Sequence, residues 1–124
     1  MSLTKELVVG GIHTSTATAI GGSVATGLSG AGATQATATA ITAVTSVFTT
    51  VAASQGAILP NGVQIGDELF VRNGGANALA VYPPVGGTIN GGAANAAFSV
   101  TAAKGAVFKC LSNNGLDFIA ILSA

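Results

Sequence analysis

The chain has 124 residues, of which 18 are glycine, and only 6% are charged, with four basic and four acidic side chains that cancel. This length suits one domain at most, and four scattered cations with zero net charge give no electrostatic basis for binding nucleic acid or an anionic membrane. Gly, Thr, Ser or Asn interrupts every apolar run, so no stretch approaches the roughly 18 residues of a membrane-spanning helix. Because so few charges protect a monomer poorly against association, the composition predicts a surface covered by other copies or by a larger assembly.

Residues 1–43 are predicted to form an extended N-terminal arm. Residues 3–12 have the pattern of a short strand, and residues 13–43 consist mainly of Thr, Ala, Gly and Ser. A segment with so little apolar mass cannot offset its own ordering entropy until it docks. We expect it to dock on a neighbouring subunit or on a larger assembly, partly by strand addition, through four apolar residues: Leu7, Val8, Val9 and Ile12.

Residues 44–124 are predicted to form a β-rich domain. Short runs rich in β-branched and aromatic residues alternate with Gly, Pro and Asn-Gly signals, and four Asn-Gly pairs favour type I′ turns. The pattern predicts an all-β fold, a compact antiparallel β-sandwich or barrel. Seven strands are predicted, near residues 44–52, 56–59, 68–72, 78–82, 97–101, 106–111 and 117–122.

The last two strands are predicted to form a hairpin around a two-residue Asn114-Gly115 loop. This loop would place Cys110 opposite Ile119 and leave both faces of the hairpin apolar. A solvated hairpin would carry polar residues on one face, so two apolar faces indicate packing between subunits. The second face would supply four interface residues: Val107, Leu111, Phe118 and Leu122.

No arrangement of catalytic, metal-binding or cofactor-binding residues emerges from the sequence. His13 is the only histidine and lies in the low-complexity zone. Cys110 is the only cysteine, so it forms no intrachain disulfide, and its place on a strand favours a buried packing role over a nucleophilic one. Asp67 and Glu68 point to opposite faces of a strand, and together with Asp117 they are too few for a metal cage. We therefore predict no enzyme activity, no cofactor, no metal and no small-molecule substrate.

Arg72 and the glycine-rich segment are the remaining candidates for binding chemistry. Residues 27–32 are rich in glycine but do not match G-x-G-x-x-G, and no G-K-[ST] motif occurs, so phosphate binding has no support. Arg72 is interpreted as an ion-pair partner of Asp67, Glu68 or Asp117, within one chain or between subunits.

The sequence from Thr50 onward resembles small β-rich structural proteins of tailed bacteriophages. The resemblance is carried by the phrases at residues 66–73 (GDELFVRN), 77–83 (NALAVYP) and 89–91 (ING), and it extends from Thr50 to the end of the chain. It implies a virion component without enzyme activity, often a homotrimer, and most similar to head decoration (cement) proteins, which bind the outer capsid lattice and reinforce it.

Capsid decoration is therefore the function that we favour from the sequence. The implied partners are other copies of the chain and the major capsid protein of a phage head. The implied location is the capsid surface of the virion, after synthesis in the bacterial cytoplasm. A tail, baseplate or fibre component is the alternative, since similar modules occur there. A carbohydrate-binding module is disfavoured because the chain has five Phe, one Tyr and no Trp.

Overall fold

A computed structural model describes residues 22–124, and these residues fold into ten strands and one short 3-10 turn, Gln35–Thr37. The strands alternate with glycine- and asparagine-rich turns, and no α-helix occurs within the described range. The strands are β1 (Val24–Ser29), β2 (Thr39–Ala40), β3 (Thr45–Thr50), β4 (Gly56–Ile58), β5 (Glu68–Asn73), β6 (Leu79–Tyr82), β7 (Thr88–Ile89), β8 (Phe98–Val100), β9 (Gly105–Cys110) and β10 (Asp117–Leu122).

The prediction of an all-β chain is confirmed at the level of its strands. Each of the seven predicted strands is present, with bounds within about two residues of the expected ones. The three strands that are not among these seven are β1, β2 and β7. The last two are only two residues long, too short for a period-two pattern to be recognised.

Two sheets are built by a chain that passes back and forth between them. The six-stranded sheet has the order β1-β3-β5-β9-β10-β7, and the four-stranded sheet has the order β2-β4-β6-β8. Up to β6, odd-numbered strands enter the first sheet and even-numbered strands the second, so each odd–even pair forms one coil. Successive coils stack on one another, which places Val24 of β1 opposite Thr45 of β3, one full coil further along the chain.

This winding corrects the prediction of an antiparallel fold. The pairs β1–β3, β3–β5, β2–β4, β4–β6 and β10–β7 are parallel. Among the strand pairs of residues 22–124, only β5–β9, β9–β10 and β6–β8 are antiparallel. A chain that crosses to the other sheet and returns re-enters the first sheet in the same direction. Three of the four Asn-Gly pairs therefore lie on connections between the sheets or, for Asn73-Gly74, where such a connection begins. Among the four, both residues have positive φ only at Asn90-Gly91.

The predicted boundary at residue 43 also needs correction, because the sheets include the chain from Val24 onward. β1 is paired with β3 and β2 is paired with β4. Ile41, placed in the arm by its low-complexity surroundings, is 2% exposed in the core. A segment poor in large side chains is therefore still part of the fold. Residues 1–21 lie outside the described range.

The core combines side chains from both sheets in a single buried cluster. Phe108 of the six-stranded sheet meets Phe98 of the four-stranded sheet edge to face, with ring centroids 5.7 Å apart. Asn73 is buried at 0% exposure and also joins the sheets, because its Nδ2 donates to the Val100 carbonyl oxygen at 2.9 Å. The largest apolar members of the cluster include Ile41, Phe48, Leu59, Val71, Leu79, Val81, Phe108 and Phe118.

Candidate interaction surface

The hairpin of β9 and β10 has a register one residue away from the predicted one. Phe118 lies opposite Cys110, and Ile121 lies opposite Val107. The Leu111 N–H donates to the Asp117 carbonyl oxygen at 2.8 Å, which leaves residues 113–115 as a three-residue loop. Gly115 takes the positive φ of 74° in this loop, as expected for a type I turn followed by a left-handed residue.

This one-residue difference separates the four hairpin residues that were predicted to share an interface. Phe118 is 1% exposed, so it belongs to the core of its own chain and not to an outer face. Val107 is half-buried on the outer side of the sheet. Leu111 is 53% exposed beyond the end of β9, and Leu122 is 36% exposed at the end of β10. The predicted arm contacts, Leu7, Val8, Val9 and Ile12, lie outside the described residues.

The outer side of the six-stranded sheet is apolar at its centre. Along β5, Leu69, Val71 and Asn73 are buried while the alternate residues face outward. We define the apolar outer face as the outward side chains of β5, β9 and β10 that are large and apolar: Phe70, Val107, Ile119 and Ile121. Phe70 is 40% exposed, Ile119 is 39% exposed and Ile121 is 63% exposed.

Strand register aligns three of these side chains into one row. Phe70 lies opposite Val107, and Val107 lies opposite Ile121. Thr45 of β3 continues the row on the other side of Phe70. Opposed residues on neighbouring strands share a face and lie close together, so the row forms a continuous apolar stripe across the sheet.

A shallow groove of ≈ 330 Å³ lies along this stripe. Apolar side chains supply most of its lining, and Arg72 is the only charged residue among them. Its lining residues are Thr45, Phe70, Val71, Arg72, Gly105, Ala106, Val107, Ile121, Leu122 and Ser123. A groove with so few polar groups suits an apolar side chain of another protein more than a small polar ligand.

The few charges of this sheet lie around the apolar stripe. Glu68 lies opposite Lys109 across β5 and β9 on one side of the row. Arg72, on the other side, lies opposite Gly105 on the neighbouring strand. An ion pair between Arg72 and a carboxylate of another subunit stays a prediction. Asp117 accepts a hydrogen bond from the Thr88 hydroxyl at 2.9 Å. The result is an apolar centre with a charged rim, which is typical of protein–protein contact surfaces.

Within residues 22–124, no group of three or more His, Cys, Asp or Glu side chains could hold a metal ion. Cys110 is buried, as predicted, and its thiol donates to the Ser112 carbonyl oxygen at 3.3 Å. His13 lies outside the described range. Within that range, no helix has the length and apolar character needed to cross a bilayer.

Comparisons with known proteins found no matching family model, no matching curated protein and no matching solved structure. The surface must therefore be interpreted from its own residues. Phe70, Ile119 and Ile121 are the interface candidates that the sequence reasoning missed. The sequence could have revealed Phe70, because side chains two positions apart on a strand share a face. Glu68 and Arg72 are charged and lie two positions before and after Phe70, so they mark its face as the outward one.

Proposed function

We propose that this chain is a virion structural protein of a tailed bacteriophage, and more specifically a capsid decoration protein. Its partners would be other copies of itself, assembled as a trimer, and the major capsid protein of the head. It would reside on the capsid surface and would have no enzyme activity. The resemblance of residues 50–124 to phage structural proteins motivates this proposal.

The observation that carries the proposal is the in-register apolar row of Phe70, Val107 and Ile121 on the outer sheet face. Fully burying a large apolar side chain contributes about 1.5–3 kcal/mol, so covering this face would favour association. The chain has only eight charged side chains to oppose aggregation. A protein that functions inside a larger assembly has less need of a highly charged surface.

A tail, baseplate or fibre component is the second candidate, and the stacked parallel coils favour it. Coils that contact only their neighbours can be extended along one direction, as in elongated repeat structures. We also infer that the two sheets form a sandwich and not a closed barrel, because each sheet has its own strand order and its own two edge strands.

The experiment that tests this proposal is localisation of the chain in purified virions. Heads and tails of the particles would be separated and probed with an antibody raised against the folded protein. Decoration predicts the chain in the head fraction, and a tail or fibre role predicts it in the tail fraction. Absence from both fractions would overturn the virion proposal altogether.

A further inference from the structure

One end of the stacked coils has an open edge. β1 is the first strand of the six-stranded sheet, and β2 is the first strand of the four-stranded sheet. Within residues 22–124, no strand pairs with the outer side of either one. β1 has the sequence VATGLS, without the charge or proline that usually protects an exposed edge from pairing. We refer to the outer sides of β1 and β2 as the open edge.

The sequence before this edge repeats the sequence of the first coil. Residues 16–20 read TATAI, and residues 37–41 read TATAI again. Leu7 and Leu28 are the same number of residues apart as the two TATAI copies, and so are Gly11 and Gly32. This is also the separation between Val24 and Thr45, which lie opposite each other on stacked coils. The repeat in the sequence therefore has the same length as the turn from β1 to β3. The other turns differ in length, since Thr39 lies opposite Ala57 and Thr45 lies opposite Phe70.

The repeated residues have defined roles in the described coil. Ile41 is 2% exposed in the core, and Leu28 packs against the core from the edge. Thr39 and Ala40 form β2 and pair with β4. Gly32 has a φ of +65° and lies so close to Thr37 that a side chain at position 32 would collide with it. The residues at the corresponding earlier positions are Leu7, Gly11, Thr16, Thr18, Ala19 and Ile20.

We propose that the open edge is the docking site for residues 3–20 of the same chain. These residues add one further coil, with residues 3–8 paired parallel to β1 and residues 18–19 paired parallel to β2. Three residues join Ile20 to Val24, and three residues join Ile41 to Thr45. The link from the proposed coil to β1 therefore has the same length as the link from β2 to β3. Residues 3–20 can thus reach the open edge of their own chain, and a second copy is not needed to supply them.

The charges of the segment fit this placement. Lys5 and Glu6 are the only charged residues before Asp67. In the proposed coil they lie on the strand that becomes the new edge of the six-stranded sheet, where charged side chains discourage further edge-to-edge pairing. The uncharged β1 would then be an interior strand. This inference does not depend on the virion role, and it differs from docking of a free arm on another subunit.

Two isoleucines of the segment provide a matched pair of variants in the full-length chain. Ile20 corresponds to buried Ile41, and Ile12 corresponds to exposed Ala33. Burying an amide without partners is costly, so Ile20→Asn should lower the melting temperature by at least about 5 °C. Ile12→Asn should leave it within about 1 °C of the parent value. Equal melting temperatures for the two variants would overturn the proposal.

A cysteine pair tests the strand register directly. Thr4 and Ala25 are as far apart in the sequence as Val24 and Thr45, which lie opposite each other on neighbouring strands. Thr4 and Ala25 therefore lie opposite each other in the proposed coil, at a distance between Cα atoms that a disulfide can span. Oxidation of the Thr4→Cys, Ala25→Cys double variant should give an intramolecular disulfide, seen as monomer mass with loss of two thiol hydrogens. The control pair, Thr4→Cys with Thr49→Cys on the next strand inward, should remain reduced. Disulfide-linked dimers, or no disulfide in the first pair, would contradict docking within the chain.

Discussion

Phe70 lies directly opposite Val107 across β5 and β9, with both side chains on the outer side of the six-stranded sheet. Ile121 continues the row on β10. An aromatic and two β-branched side chains in register form a flat apolar stripe, and Glu68, Lys109 and Arg72 lie around it. In the proposed assembly, covering the stripe would remove apolar area from water, and the charged side chains would lie at the rim of the contact.

The first prediction concerns this stripe. Phe70→Asp should weaken self-association at least about tenfold, since a charge in a covered apolar surface is costly unless paired. The melting temperature measured at low concentration should change little, because Phe70 is 40% exposed. Light scattering over a concentration series would measure the effect. Val85→Asp is the control, because Val85 is 70% exposed and does not line the groove. Equal association of both variants would exclude the stripe as the contact surface.

The second prediction separates two adjacent residues of β10. Phe118 is 1% exposed and Ile119 is 39% exposed. Phe118→Asp should destabilise or unfold the chain by several kcal/mol because it buries an unpaired charge in the core. Ile119→Asp should cost less than about 1 kcal/mol of folding free energy while weakening association. Urea unfolding of both variants gives the comparison, and the opposite order would support the two-residue loop over the three-residue loop.

The third prediction concerns Asn73, which holds the two sheets together. Its Nδ2 donates to the carbonyl oxygens of Asn77 at 2.8 Å and Val100 at 2.9 Å, and its Oδ1 accepts from the Gly75 N–H at 2.9 Å. Asn73→Leu should lower the free energy of unfolding by about 2–4 kcal/mol, since it leaves buried carbonyl and N–H groups without partners. Asn61→Leu, at an exposed turn position, should change it by less than about 0.5 kcal/mol. A smaller loss at Asn73 than at Asn61 would refute this role.

The fourth prediction concerns the turn that sets the hairpin register. Gly115 has a φ of +74°, and a Cβ there would lie 2.5 Å from the Val63 carbonyl oxygen. Gly62 has a φ of +79° but has open space around it. Gly62→Ala should therefore cost about 1 kcal/mol for the backbone conformation alone. Gly115→Ala should cost clearly more in chemical denaturation, and equal costs would show that Val63 does not constrain the turn.

The strands could be predicted from the sequence because period-two patterning and turn residues are local signals. Phe108 and Cys110 alternate with Val107 and Lys109 on β9, and the structure buries the first pair as that pattern requires. The direction of the strands could not be predicted in this way. Residues 51–67, for example, lie between β3 and β5 and include β4 of the other sheet. Their composition alone does not show whether the chain turns back within one sheet or first crosses to the other sheet.

The predicted interface residues depended on the strand register of the β9–β10 hairpin. This register shifts by one residue when the loop has three residues and not two. Asn114-Gly115 fits a two-residue loop by its sequence, but the left-handed φ is at Gly115 and the loop includes Asn113. That shift moves Phe118 from the outer side into the core. The inclusion of β1 and β2 in the sheets was hidden for a different reason, because Thr, Ala and Gly give little hydrophobic contrast between buried and exposed positions.

A decoration function can be measured as binding of the protein to phage heads that lack this chain. Purified protein would be mixed with such heads, and bound protein would be quantified after sedimentation while the thermal rupture of the heads is followed. A decoration protein should bind saturably to heads, and the rupture temperature should rise with occupancy. Heads that bind no protein, or bind it without any gain in thermal stability, would contradict a decoration function.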